Sequence, residues 1–175
     1  MTQQRTTTHT PAGTRIARAL TWLCLVAAWL VAVFTVIEEF CMVKACRDTA
    51  AFTIFGFNMG IFGVVFFSLL LLARYFERRY AVAEWFLVAG VSAGVGGELR
   101  LLWIQKYIIG AWCPLCVSIC IALVSGALFL SIEKLMESRT GGMARGHLTG
   151  LAAAAVVSAL IGLGVAYVGV KALTE

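Results

Sequence analysis

The chain has 175 residues, 61% of them hydrophobic and only 13% charged, with a mean hydropathy of +0.93 and a formal net charge of +5. A soluble domain of this composition would expose far more apolar surface than water tolerates, so the chain is expected to be a membrane protein. Its positive balance lies in short segments between apolar runs, and nothing in that distribution points to nucleic acid.

Residues 1–14, rich in Thr and Gln with Pro11 and Gly13, are expected to form a disordered tail. The first apolar run, 19–37, follows Arg15 and Arg18 and has no clear small-x-small cleavage site, so it fits an uncleaved helix better than a signal peptide. Cys24, in its middle and without a partner in sequence, is expected to pack as a small hydrophobe. Four further runs, at about 53–73, 82–107, 111–131 and 148–170, approach the ~20 residues a helix needs to cross a bilayer. The expected fold is all-α and polytopic: a transmembrane four-helix bundle over 15–134, a connecting loop over 135–147, and a fifth transmembrane helix with a short tail over 148–175. Glu98 and Arg100 interrupt the third run near its end and are expected to snorkel to the outer interface. Gly90 with Gly94, and Ser158 with Gly162 and Ala166, have the spacing that lets membrane helices approach closely.

Two cysteine pairs carry the chemistry. In Trp112-Cys113-Pro114-Leu115-Cys116 the sulfurs share one face if a helix begins there, and Pro114 suits a first helical turn. Cys113 would then sit at the positive end of a helix dipole, which favours the thiolate that attacks in disulfide exchange. Extended chain would hold Cys41 and Cys46 about 16 Å apart, whereas a disulfide needs Cα atoms within about 4.4–6.8 Å. The segment must therefore turn back, as a loop carrying Glu38, Glu39, Lys44, Arg47 and Asp48 would do.

Basic residues concentrate on the cytoplasmic side of membrane proteins. Arg5, Arg15, Arg18, Arg74, Arg78, Arg79, Lys134, Arg139 and Arg145 all fall on one side of the expected helices, and the whole excess of +5 lies there. Both cysteine pairs would face the opposite, oxidising compartment, the periplasm or its equivalent, with the chain in the inner membrane and its N-terminus in the cytoplasm.

A cysteine pair after the first helix, then Phe55-Gly56-Phe57-Asn58-Met59-Gly60-Ile61-Phe62-Gly63 opening the second, then Leu102-Trp103-Ile104-Gln105-Lys106-Tyr107 leading into Ala111-Trp112-Cys113-Pro114-Leu115-Cys116, form an ordered set. In this the chain resembles the vitamin K epoxide reductase family over about residues 17–131, in particular bacterial members without a fused thioredoxin-like domain. The DsbB family does similar chemistry with its two cysteine pairs in the reverse order. The resemblance implies a quinone-dependent oxidoreductase that reoxidises a thioredoxin-fold, DsbA-like partner. Cys41 would exchange with the partner, Cys46 would pass electrons to Cys113, and Cys116 would face the quinone, whether ubiquinone, menaquinone or vitamin K. Candidate quinone-pocket residues are Asn58, Phe62, Trp112 and Cys120, the last on the same helix face as Cys116 and one turn deeper. The Cys41–Cys46 spacing is shorter than the family pattern, and the family's hydroxyl residue corresponds to Thr49 or Thr53 according to the end from which one counts.

Outward cysteine pairs also suit a carrier of soft metal ions, or a scaffold with fixed disulfide bridges. Both histidines, His9 and His147, lie on the side away from the cysteine pairs, and no metal ligand set is assigned.

Overall fold

Apolar runs fold as helices because lipid offers no partner for a free N–H or C=O, and a helix satisfies its own. The computed structural model describes residues 12–40, 52–54, 57–110, 112–140 and 145–172. Five helices occupy most of them: α1 (Ala12–Phe40), α2 (Met59–Phe76), α3 (Ala81–Ile104), α4 (Pro114–Arg139) and α5 (Arg145–Gly169). Helices α1, α3, α4 and α5 are long and apolar enough to cross a bilayer, while α2 has 18 residues and a shorter apolar stretch. The protein is thus an all-α, multi-pass membrane protein, with its helices in the order expected from the apolar runs.

Two boundaries differ from expectation. The first helix begins at Ala12, inside the segment expected as a tail, because Thr14 and Ala17 are buried and Gly13 lies against Met136 of α4. The expected connecting loop is shortened from both sides, since α4 continues to Arg139 and α5 starts at Arg145.

The core draws Leu25, Ala28 and Ala32 from α1, Phe67, Leu70 and Ala73 from α2, Leu87, Val88 and Val91 from α3, and Leu123 and Leu130 from α4. Helix α5 adds Leu151 and otherwise lies beside this four-helix bundle, against α3. That contact is backbone to backbone. A methyl group placed on Gly96 would run into the carbonyl of Ala159, and one on Gly162 into the carbonyl of Ala93. Gly162 therefore acts as its spacing predicts, but its counterpart is Gly96; Gly90 and Gly94 face Leu70 and Phe66 of α2 instead.

Short strands close the end of the bundle where α2 and α4 begin. Strands β1 (Phe52–Ile54), β2 (Phe57–Asn58) and β3 (Val170–Ala172) form an antiparallel sheet in the order β2-β1-β3. Thr53 pairs with Asn58 on one side and with Lys171 on the other, so the residues after α5 are joined to those entering α2.

The opposite end is held by charge. Glu133 of α4, 0% exposed, accepts from Arg18 of α1 at 2.6 Å and from Arg74 of α2, itself 2% exposed, at 2.6 Å. Arg18 also reaches Glu137, and Arg74 reaches Glu77 in the turn after α2. Lys134 bridges to Glu84 of α3 at 2.8 Å, and His147 of α5 meets the same carboxylate at 3.3 Å. Every helix contributes to the network. Glu77 is its least satisfied member: one of its oxygens is buried without a hydrogen bond, and burial pushes its carboxyl above the ordinary range against the pull of Arg74. Removing one partner of a buried ion pair costs about 3–5 kcal/mol because the other charge stays buried. Glu133→Ala is therefore expected to lower the unfolding free energy of the detergent-solubilised protein by an amount in that range, whereas the exposed Arg79→Ala should change it by no more than about 0.5 kcal/mol; unfolding of the two variants side by side checks both.

Candidate redox site

Helix α3 does not end cleanly. After Ile104 it widens into a π-helical turn, Gln105–Ile109, and stops at Gly110, whose φ of +70° is the left-handed conformation that glycine adopts without strain. The chain then reverses into Trp112 and Cys113. Cys113 is extended, with φ −84° and ψ 114°, and Pro114 is the first residue of α4. The helix thus begins where the Cys-Pro-Leu-Cys spacing predicts, and its opening bond runs from the Val117 N–H to the Cys113 carbonyl at 3.1 Å.

Gln105 ties the two helices together. It is 2% exposed, and its Oε1 accepts the Cys113 N–H at 3.2 Å. Its side chain also lies beside Cys116, the second cysteine of the pair. One amide therefore satisfies a backbone donor at a helix start, where donors lack intrahelical partners, and does so next to the cysteine pair. Cys113 is 4% exposed and Cys116 half-buried. A buried sulfur beside an accessible one at a helix start is an arrangement that can form and break a disulfide with little backbone movement.

The other expected site residues lie on several elements. Cys120 is buried one turn below Cys116. Trp112 is 58% exposed beside Cys113, and Phe62 is 45% exposed near the start of α2, where it stacks on Phe66 with centroids 6.2 Å apart. Phe66, rather than Phe62, reaches into the bundle, where it meets Gly94 together with Leu123 of α4. Asn58 lies in β2 at the same end. Cys41, Cys46 and Thr49 fall outside the described residues, and Thr53 is in β1. Cys24 packs against Gly126 of α4, as its filler role predicts.

Two site residues go beyond the sequence-based candidates. Gln105 is one; the signal available was a neutral polar side chain within an apolar run, eight residues before Cys113. Glu98 is the other, and its position corrects the expectation that it snorkels outward. Seven residues before Gln105, it lies about 10 Å deeper along α3, because the helix and its π turn continue past it. One of its oxygens is buried without a hydrogen bond, and the carboxyl interacts electrostatically with Cys116 and Cys120. Arg100 turns elsewhere, with its guanidinium 4.4 Å from the ring centre of Trp103 and 4.6 Å from that of Tyr167 on α5. Among the described residues, no group of three or more His, Cys, Asp or Glu side chains is arranged to hold a metal ion.

A buried donor that loses its acceptor costs about 1–3 kcal/mol. Gln105→Leu is expected to destabilise the solubilised protein by that amount and to speed alkylation of Cys113, because the clamp on the start of α4 is lost; differential unfolding and peptide mass mapping of the alkylated thiol measure the two effects.

Comparison with curated protein sequences yields no match. The sequence does match the vitamin K epoxide reductase family over residues 41–132, from the first loop cysteine almost to the end of α4, and so leaves out α1, which the sequence reading had included. That segment is just over half of the chain and contains both cysteine pairs, Gln105 and Glu98, so the protein belongs to the vitamin K epoxide reductase family.

Proposed function

We propose that this membrane oxidoreductase of the vitamin K epoxide reductase family reoxidises a thioredoxin-fold, DsbA-like partner and delivers its electrons to a quinone, so supporting disulfide formation. The observation that carries the reading is the pair of cysteines at the start of α4, Cys113 buried and held through its backbone N–H by Gln105, and Cys116 half-buried. The partner's dithiol attacks the loop disulfide at Cys41. Cys46 then reduces the Cys113–Cys116 disulfide by attack on Cys113, and Cys116, the more accessible of that pair, faces the quinone. Each transfer is thiolate attack through a mixed disulfide, so access and leaving group govern its rate. Net, partner dithiol and quinone become partner disulfide and quinol, and the chain returns to its starting state.

Geometry supports the handover between pairs. Helix α1 ends at Phe40, immediately before Cys41 in sequence, and β1 starts at Phe52, at the end of the bundle where α4 begins. The described residues on either side of the segment holding Cys41 and Cys46 thus lie at the Cys113 end. The ion-pair network occupies the other end, with Arg18, Arg74 and Lys134, and exposed Arg78 and Arg79 close by in sequence. This distribution supports a network end in the cytoplasm and a cysteine end outside the inner membrane. Phe62, Trp112, Cys120 and Asn58 are the proposed contacts for the quinone ring.

The direct test is quinone reduction by the purified protein, with a reduced DsbA-like protein as donor and a panel of ubiquinone, menaquinone and vitamin K. Orientation is checked with a membrane-impermeant thiol reagent on intact, reduced cells: Cys41 should be labelled before lysis, and labelling only after lysis reverses the topology. The order of the relay is checked with Cys116→Ala, which should abolish quinone reduction and accumulate a Cys46–Cys113 mixed disulfide, because the resolving thiol is gone. A trapped species joining Cys41 to Cys113 would exchange the roles of the two loop cysteines.

A further inference from the structure

Glu98 has no structural occupation that accounts for it. Its carboxyl forms no ion pair among the described residues, and one oxygen is buried without a hydrogen bond, an arrangement that costs free energy relative to an apolar side chain of similar size. Gln105, two turns further along α3, occupies the same helix face, and that face meets the cysteines of α4. The amide therefore holds the Cys113 N–H, while the carboxyl lies two turns deeper on the same face, within electrostatic range of Cys116 and Cys120. The titratable groups set against Glu98 are Cys116 and Cys120 of α4. Arg100 of its own helix is committed to the Trp103 ring and to Tyr167 of α5.

We propose that Glu98 is the proton carrier of the redox site, taking the proton that Cys116 must shed before its sulfur can react and passing it on toward the electron acceptor. This rests on the reading of Cys116 as the quinone-facing thiol. Oxidising the Cys113–Cys116 dithiol breaks both S–H bonds, forms the S–S bond, and releases an electron pair and both protons. The quinone, on becoming a quinol, takes up the electron pair and both protons. Glu98 holds one proton at a time: first that of Cys116, then, once emptied, that of Cys113, and so ends as it began. Gln105 cannot serve, since an amide neither gains nor loses a proton in this range. Cys116 and Glu98 cannot easily both carry negative charge in a dry interior, so the pair shares a proton between carboxyl and sulfur.

The test uses the full chain in detergent, as wild type, Glu98→Gln and Glu98→Asp, after reduction of all thiols, and follows oxidation of the protein by a water-soluble quinone analogue across pH. Glutamine keeps the shape and removes the titration, and because it also removes a buried unpaired charge the variant should fold at least as stably as wild type. The expected result is a rate about 100-fold lower in Glu98→Gln, within the range a positioned acid–base group supplies, with partial recovery in Glu98→Asp. Because only the carboxylate form of Glu98 can take the thiol proton, the wild-type rate should rise with pH until that carboxyl has ionised and then hold level. In Glu98→Gln the proton must leave to solvent, so the rate should climb about tenfold per pH unit until the thiol itself ionises. A Glu98→Gln variant with the wild-type rate and profile overturns the proposal; so does an equal loss in both variants with an unchanged profile, which marks a merely structural residue. A second measurement separates this from failure of the quinone reading. In Cys113→Ala protein, the pH dependence of Cys116 alkylation, read by peptide mass spectrometry, should show two waves when Glu98 is present and a single wave in the Glu98→Gln background. If wild type reduces no quinone but the two waves collapse to one, the carboxyl–thiol coupling stands and only the acceptor is wrong; identical curves in the two backgrounds overturn the coupling itself.

Discussion

The arrangement of the bundle depends on one buried carboxylate. Glu133 has no exposed surface and is held by Arg18 and Arg74, from different helices, at 2.6 Å each. In lipid an unpaired charge at this depth is expensive, so these helices cannot slide past one another without separating the pairs. Whether such a cluster adds net stability over packed leucines is secondary; what it fixes is register. A helix is a stiff rod, and Cys116 lies 17 residues before Glu133 on α4, about 26 Å along the axis. Fixing the charged end therefore fixes how far the cysteine end projects, although no residue of the network is near a thiol.

The cysteine end is built from different interactions. There the helices are held by a neutral amide, a reversal at Gly110, and the close approach of α3 to α5 at Gly96 and Gly162. Neutral contacts suit a site whose charge changes during turnover. A permanent ion pair beside the sulfurs would favour one protonation state of the thiols throughout the cycle, whereas the Gln105 amide can donate to a thiol, a thiolate or a disulfide sulfur without a large electrostatic bias. Locating the charged clamp and the reactive sulfurs at opposite ends of α4 separates the requirements of register from those of chemistry.

What could be read from the sequence follows from how local each signal is. Helix count and order were legible because apolar run length is a one-dimensional property. The start of α4 was legible because Pro114 restricts the backbone at its own position. The family was legible from the order of motifs around Cys41, Cys46 and Cys113 to Cys116. Pairings across helices were not. Gly90 and Gly94 have the right spacing, but Gly96 makes the contact with α5, because the face of α3 turned to α5 is decided by where the bundle core lies. The ion-pair network was likewise hidden: Arg18, Arg74, Glu84, Glu133 and His147 look like solvated interfacial charges until five helices bring them together. Glu98 was misjudged because its depth was measured from the start of an apolar run, whereas the π turn carries α3 well beyond it.

The contrast between the thiols gives the site its direction. Cys113 is almost fully enclosed and hydrogen-bonded through its backbone, while Cys116, on the next turn, is partly open. Under the proposed function, the more open Cys116 is the sulfur offered to a quinone ring, and Cys113, which precedes the helix, the one offered to thiol exchange. Electrons entering by exchange and leaving to a ring would then use different sulfurs. Protons have no such built-in direction. Any thiolate formed in this apolar setting is costly unless its proton stays near, and bulk water reaches the two sulfurs unequally. A titratable group deeper on the same α3 face as the Gln105 amide allows the charge to be neutralised where it arises. Under that proposal Gln105 and Glu98 divide the work on that face, the amide fixing the start of α4 through the Cys113 N–H and the carboxyl answering the change in charge.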